Sequence, residues 1–347
     1  MPGIRPRLLV LFAAAGAVVT AAGIWVSDDT RNPAAAGPPA AAPHVGTPAD
    51  PATWTLPLSR YRADEAERKT VARAEFSLLQ RCAQRFDITI EPDPELPPVG
   101  GRNVMDWRYG IHDPAQIAEQ GYKPDPVQRA RYEEVLRETA RKPLPTPDER
   151  VVLMGSAVPD DVRGRASEEA RSGHRHGRQI PEGGCLGEAR RALGTSTDGT
   201  PRLADRLFNA SSPAAEQGPD VTAAFTRWSQ CMADAGFVYA KPMDANDDPK
   251  FGLGSSGAAT PVEIATARAD LTCRIRHRVA QTWHAAETRI QEQNIRDNQA
   301  ELDGERAAWQ ETLARAGEEL RTGTTWPPPP AQSAASRTTR KAQSHGR

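Results

Sequence analysis

The stretch at 260–321, TPVEIATARADLTCRIRHRVAQTWHAAETRIQEQNIRDNQAELDGERAAWQETLARAGEELR, decides how the rest of the chain is read. It holds no proline after Pro261. Its first half carries Ile264, Leu271, Ile275, Val279, Trp283, Ala286 and Ile290 at steps of three, four and seven. That is helical spacing, and it buries one face. Thr260 as N-cap, Pro261 in the first turn and Glu263 as capping-box partner supply the start. The spacing therefore predicts one very long helix. After Gln291 the apolar residues thin to Ile295, Leu302, Trp309 and Leu313, about one per heptad. A sustained coiled coil needs two apolar positions per heptad. The half at 291–321 is therefore expected to project from the core and to serve as a partner surface.

Working outward, the 347 residues carry 44 Lys+Arg against 45 Asp+Glu. A net charge of -1 gives no electrostatic case for nucleic acid. Hydrophobic content is 38%, below the roughly 45–50% of ordinary domains, and 31 prolines are present. This composition predicts one mostly α-helical domain at 59–321 between disordered ends. Residues 1–26 carry Arg5 and Arg7 ahead of the uncharged run LLVLFAAAGAVVTAAGIWV at 8–26, with Ser27, Asp28 and Asp29 behind it. Such a segment exports the chain behind it, either as a cleaved signal peptide or as a retained membrane anchor. The Pro/Ala-rich stretch at 27–58 reads as a spacer. The stretch at 322–347 reads as a disordered basic tail that could touch anionic polymers or lipid headgroups.

Export changes the meaning of Cys82, Cys185, Cys231 and Cys273. An even count outside the cytoplasm reads first as two disulfides, and four cysteines permit three pairings. An internal echo favours one of them. Phe76-Ser-Leu-Leu-Gln-Arg-Cys82 and Phe225-Thr-Arg-Trp-Ser-Gln-Cys231 each end a helix, and each has a second cysteine downstream beside or within a helix. That suggests a duplicated unit with bonds Cys82–Cys185 and Cys231–Cys273.

Elsewhere, 60–86 reads as a first helix with Val71, Leu78, Cys82 and Phe86 on one face. Short helices are expected after the caps Asp113, Asp125 and Thr146, and a mobile loop over 158–180. Another short helix is expected after Thr200-Pro201. A further helix, 220–235, should end at Gly236 with Phe237 folding back on Met232. The combination PEGGC-x-GEA, W-x-x-CM-x-x-x-GF, an earlier L-x-x-RC and a cysteine early in a long helix resembles an uncharacterised group of exported actinobacterial, Streptomyces-like proteins. The likeness runs over about 54–320 and implies export and disulfides, and no chemistry.

Motifs with chemical meaning are few. Gly252, Gly254 and Gly257 match G-x-G-x-x-G, but no strand precedes them, so they read as a loop. Asp244, Asn246 and Asp248 begin like a calcium loop, yet Pro249 and Ser255 stand where Gly and Glu are needed. Cys273, His277 and His284 fall near one helical face and could hold zinc, against a crowd of arginines. His174 and His176 sit among arginines. Trp228, Trp283 and Trp309 lie on helical stripes and read as core. No catalytic set, metal or cofactor is therefore expected. The sequence supports an exported, non-enzymatic envelope module that binds or assembles with a partner. The alternative is an extracytoplasmic hydrolase whose site is assembled from distant residues.

Overall fold

The computed structural model describes residues 49–195, 202–252 and 257–322. In chain order the elements are α1 (Glu65–Gln84), α2 (Pro114–Gln120), α3 (Pro126–Arg141), α4 (Pro147–Met154), α5 (Asp160–Arg163), α6 (Glu168–Arg171), a hairpin of β1 (His174–Arg175) and β2 (Arg178–Gln179), α7 (Gly184–Leu193), α8 (Leu203–Glu216), α9 (Pro219–Asp234), α10 (Pro242–Asn246), α11 (Pro261–Arg276) and α12 (Val279–Thr322). The fold is mostly helical, as the composition predicts. The expected targeting run at 8–26, the tail at 323–347 and the expected Thr200-Pro201 cap lie outside the described residues. Among the described helices none is long and apolar enough to cross a membrane.

Helix α12, which spans Val279–Thr322 with a kink at Asn298, is the spine. Its first half joins α8, α9 and the short turns at 51–61 in one core around Trp228, Phe208, Phe225 and Trp283. Its second half packs on α1 and α7 through Trp309, Leu313 and Ala316. A separate cluster lies under the far end of α1, where Phe86, Val152, Val162 and Ile180 enclose one disulfide. The bonds are Cys82–Cys185 and Cys231–Cys273, the pairing favoured by the echo, and no described cysteine is free. Both suit an oxidising environment outside the cytoplasm.

Local capping rules hold at the short helices. Asp113, Asp125 and Thr146 cap α2, α3 and α4 with their side chains. Gly236 and Phe237 end α9 with the amide of Phe237 donating to the carbonyl of Met232 at 2.9 Å. The double glycine of PEGGC is a packing device. Gly184 has φ +70°, and a Cβ on it would stand 2.5 Å from the backbone nitrogen of Gly155, so α7 approaches the end of α4 backbone to backbone.

Four expectations are corrected. The single helix at 260–321 is kinked at Asn298, where φ is -127° and ψ 20°, and is broken in two at His277 and Arg278, whose φ is +50°. No Gly or Pro marks this break, so packing of α11 and α12 on different neighbours overrides local preference. The half at 291–321 does not project. Gln291, Leu302, Thr312, Ala316 and Glu319 are buried. Its polar residues are paired: Glu67 receives Arg306 at 2.8 Å and the Trp309 indole N–H at 3.0 Å, and Arg81 meets Glu319 at 2.5 Å. The end of the expected spacer is packed: Leu56 and Leu58 are buried, and the Leu58 amide donates to Gln291 Oε1 at 2.9 Å. The stretch at 158–180 is α5, α6 and the hairpin, with Val158, Val162, Ala166, Ala170 and Ile180 in the core.

Candidate functional site: a polar cleft beside an unsupported helix

Residues 100–112 form a loop of turns that crosses the outer face of the α11–α12 pair. Buried polar groups hold it there. Tyr109 Oη donates to Glu287 Oε2 at 2.8 Å, Arg108 Nε donates to the same carboxylate at 2.9 Å, and Ser211 Oγ donates to its other oxygen at 2.6 Å. Burial pushes Glu287 toward protonation, but Arg108, Ser211 and Tyr109 together outweigh it and hold the carboxyl below its ordinary value. A second anchor runs through Arg274, which meets Asp270 at 2.6 Å and donates to the Tyr109 carbonyl at 2.6 Å. Trp228 Nε1 and Tyr122 Oη complete Asp270, at 2.8 and 3.1 Å.

On the outward side of this loop lies a cleft of about 330 Å³, walled by the loop, α2 and the first turn of α3. At its edge Arg102 binds two carboxylates at once. Its Nη2 meets Asp50 Oδ1 at 2.5 Å and Asp106 Oδ1 at 2.8 Å, and its Nε donates to Asp106 Oδ2 at 3.0 Å. His112 Nε2 lies 2.7 Å from Asp106 Oδ1. Arg102 first, with His112 after it, holds the Asp106 carboxyl far below the ordinary carboxylate range, and Asp50 is lowered by the same guanidinium. Ligating atoms of Asp50, Asp106 and His112 lie within 4.8 Å of one another, the spacing of a small metal site. The Arg102 guanidinium is bonded to both carboxylates, so a cation would have to displace a bidentate partner. The cluster reads as a closed ion-pair network.

The remaining lining is uncommitted. Trp107 is half-buried, with no partner for its indole N–H among the described residues. Glu119 and Gln128 are exposed, and no other described side chain pairs with theirs. Gln116 and Gln120 make only long bonds, at 3.4 and 3.5 Å. Beside the cleft stands α3. It is the one described helix of eight or more residues that buries none of them. Val127 is 57% exposed and Leu144, just past its end, 61%.

The residues singled out in the sequence are placed elsewhere. Cys273 is in a disulfide, His277 ends α11, and His284 Nε2 lies 3.1 Å from the Thr55 carbonyl with its ring on Trp54. Burial, then Arg227 and Arg276, pushes the His277 imidazole toward its neutral form. These three form no ligand set. Asp244 closes a cap on Lys241, and Asp248 pairs with Lys250 at 2.8 Å. Residues 253–256 of the glycine run lie outside the described residues. His176 meets Asp87 at 3.2 Å on the surface. Asp50, Arg102, Asp106, Trp107 and His112 escaped sequence reading because no motif links them. The only local signal is the density of polar and aromatic groups in DWRYGIHD at 106–113. Comparison with known proteins returns no matching family model, no matching curated protein and no matching solved structure.

Proposed function

We propose that this protein is an exported, non-enzymatic binding or assembly module of the cell envelope, carried out of the cytoplasm by 1–26 as cleaved signal or retained anchor. The two disulfides and the likeness to exported four-cysteine proteins support the location. One observation carries the activity: α3 has no buried residue, yet it is a full helix with exposed Val127 and Leu136. Most helical stability in proteins comes from a packed face, so a helix of this length without one is suited to gaining a partner. The partner surface therefore moves from 291–321 to α3 and the cleft at its foot.

The test is a photo-crosslinking residue placed at Leu136 in the full exported chain, with the same residue at Glu292 on the exposed side of α12 as control. A discrete adduct at Leu136 and none at Glu292 is expected. Equal labelling at both, or none at either, sinks the reading.

A second reading, an extracytoplasmic hydrolase, is favoured by the His112–Asp106 pair, which has the geometry of a base and its orienting carboxylate. It would show as turnover of a cleft-bound ligand that His112→Ala abolishes while binding remains.

A further inference from the structure

We infer that the cleft between the 100–112 loop, α2 and α3 binds a neutral saccharide. The inference rests on the reading of the protein as a binding module and names its ligand class. It starts from what the charges already do. Asp50 and Asp106 share Arg102, and His112 adds to Asp106. Asp113 and Asp125 each spend a carboxylate oxygen on the first amides of α2 and α3, at 2.8 Å for Ala115 and 2.8 Å for Val127. Among the described lining residues this leaves Glu119 as the one carboxylate without a partner. The lining carries four carboxylates against the single Arg102 guanidinium, so the cleft disfavours an anionic ligand, while the Glu119 carboxylate and the outer oxygens of Asp113 and Asp125 are placed to accept hydroxyl protons.

What the cleft does offer is a half-buried indole, the amides of Gln116, Gln120 and Gln128, and the Glu119 carboxylate. The indole gives an apolar face with a polar edge. The amides each carry two donors and an acceptor oxygen, and Glu119 accepts only. A ring of carbon with hydroxyls around it matches this set. Its apolar face covers the indole, and each hydroxyl donates to an amide or carboxylate oxygen while accepting from an amide N–H. The volume, about 330 Å³, sits at the lower end of the roughly 300–1,000 Å³ of small-ligand sites.

The experiment is ligand-observed NMR and calorimetry on the full exported chain. The neutral probes are chitotriose, maltotriose and cellotriose. Inorganic phosphate and free lysine serve as charged probes. At least one neutral trisaccharide should bind saturably and more tightly than either charged probe. Gln128→Ala, exposed on α3 and neutral for folding, and Trp107→Leu should each weaken binding about tenfold. Asp247→Ala, away from the cleft, should leave it unchanged. Binding that neither cleft variant alters places the sugar elsewhere and overturns the assignment. Absence of binding by all three sugars also overturns it. If the Leu136 adduct persists in that case, the saccharide falls and the binding module stands. If both are absent, both fall.

Discussion

At the scale of single residues, the buried ion pairs define what the molecule tolerates. Glu287 is fully buried, and Arg108, Tyr109 and Ser211 converge on it. Removing one partner of such a set leaves the other charge without a counter-ion, which costs far more than the pair contributes. Glu287→Gln keeps the shape and strands Arg108, so it should destabilise by about 3 kcal/mol in urea unfolding. Asp220→Ala breaks the exposed pair with Arg289 and should cost under about 1 kcal/mol. A comparable contrast holds for two glycines of positive φ. A methyl group added at Gly236 would have nothing within 4 Å, so Gly236→Ala meets only backbone strain of about 1 kcal/mol. Gly184→Ala meets the same strain and also the Gly155 backbone at 2.5 Å, which cannot swing away as a side chain would. Thermal melts should rank Gly184→Ala well below Gly236→Ala, and equal melting points would count against the close contact of α4 and α7.

At the scale of elements, the second half of α12 carries the clearest lesson. Its apolar residues alone describe a helix that projects toward a partner, yet it is fixed by Glu67, Arg306 and Trp309 at one point and by Ser77, Arg81 and Glu319 further along. Ending the chain before Gln291 should therefore abolish the cooperative thermal transition; a truncated chain with an intact melt would show that this half is dispensable. The same contact sets a pH dependence. The Arg306 guanidinium, with the Trp309 N–H, holds Glu67 at about 2 against an ordinary 4.5. A lowered carboxyl stabilises the fold fully above its ordinary value and loses that contribution as the pH falls from 4.5 toward 2. Acid unfolding followed in that window should shift in Glu67→Gln, with the difference from the parent chain shrinking as pH falls. Helix caps, the α9 terminus and the cysteine pairing were legible because each is written in a few adjacent residues or a repeated pattern. The break at Arg278 and the docking of 291–322 were not, because they depend on packing against elements distant in sequence, such as Glu67, 239 residues from Arg306. The cleft was illegible for the same reason: Asp50 and Arg102 meet across 52 residues of sequence.

At the scale of the whole molecule, the two disulfides belong to different cores joined by α1 and α12. Cys82–Cys185 closes a loop of sequence separation 103 and Cys231–Cys273 one of 42. On the chain-entropy account their contributions are close, about 4.7 and about 4 kcal/mol, because the term grows only with the logarithm of loop length. Access separates them far more. Cys82 and Cys185 are 2% and 0% exposed inside the cluster of Phe86 and Val152. Cys231 is 8% exposed and floors an open groove of about 340 Å³ between α9 and α11, with Arg268 and Arg276 on its rim. The Arg276 guanidinium stands 3.8 Å from Cys231 Sγ, where it attracts an incoming thiolate. Exchange proceeds by attack of a thiolate on an accessible sulfur, so under native conditions a mild thiol should open Cys231–Cys273 first. Alkylation at timed intervals with peptide mapping afterwards would read the order. Arg276→Gln should slow that first step and leave the second untouched. Opening of both bonds together would mean that reduction waits on global unfolding, and that the two cores melt as one unit.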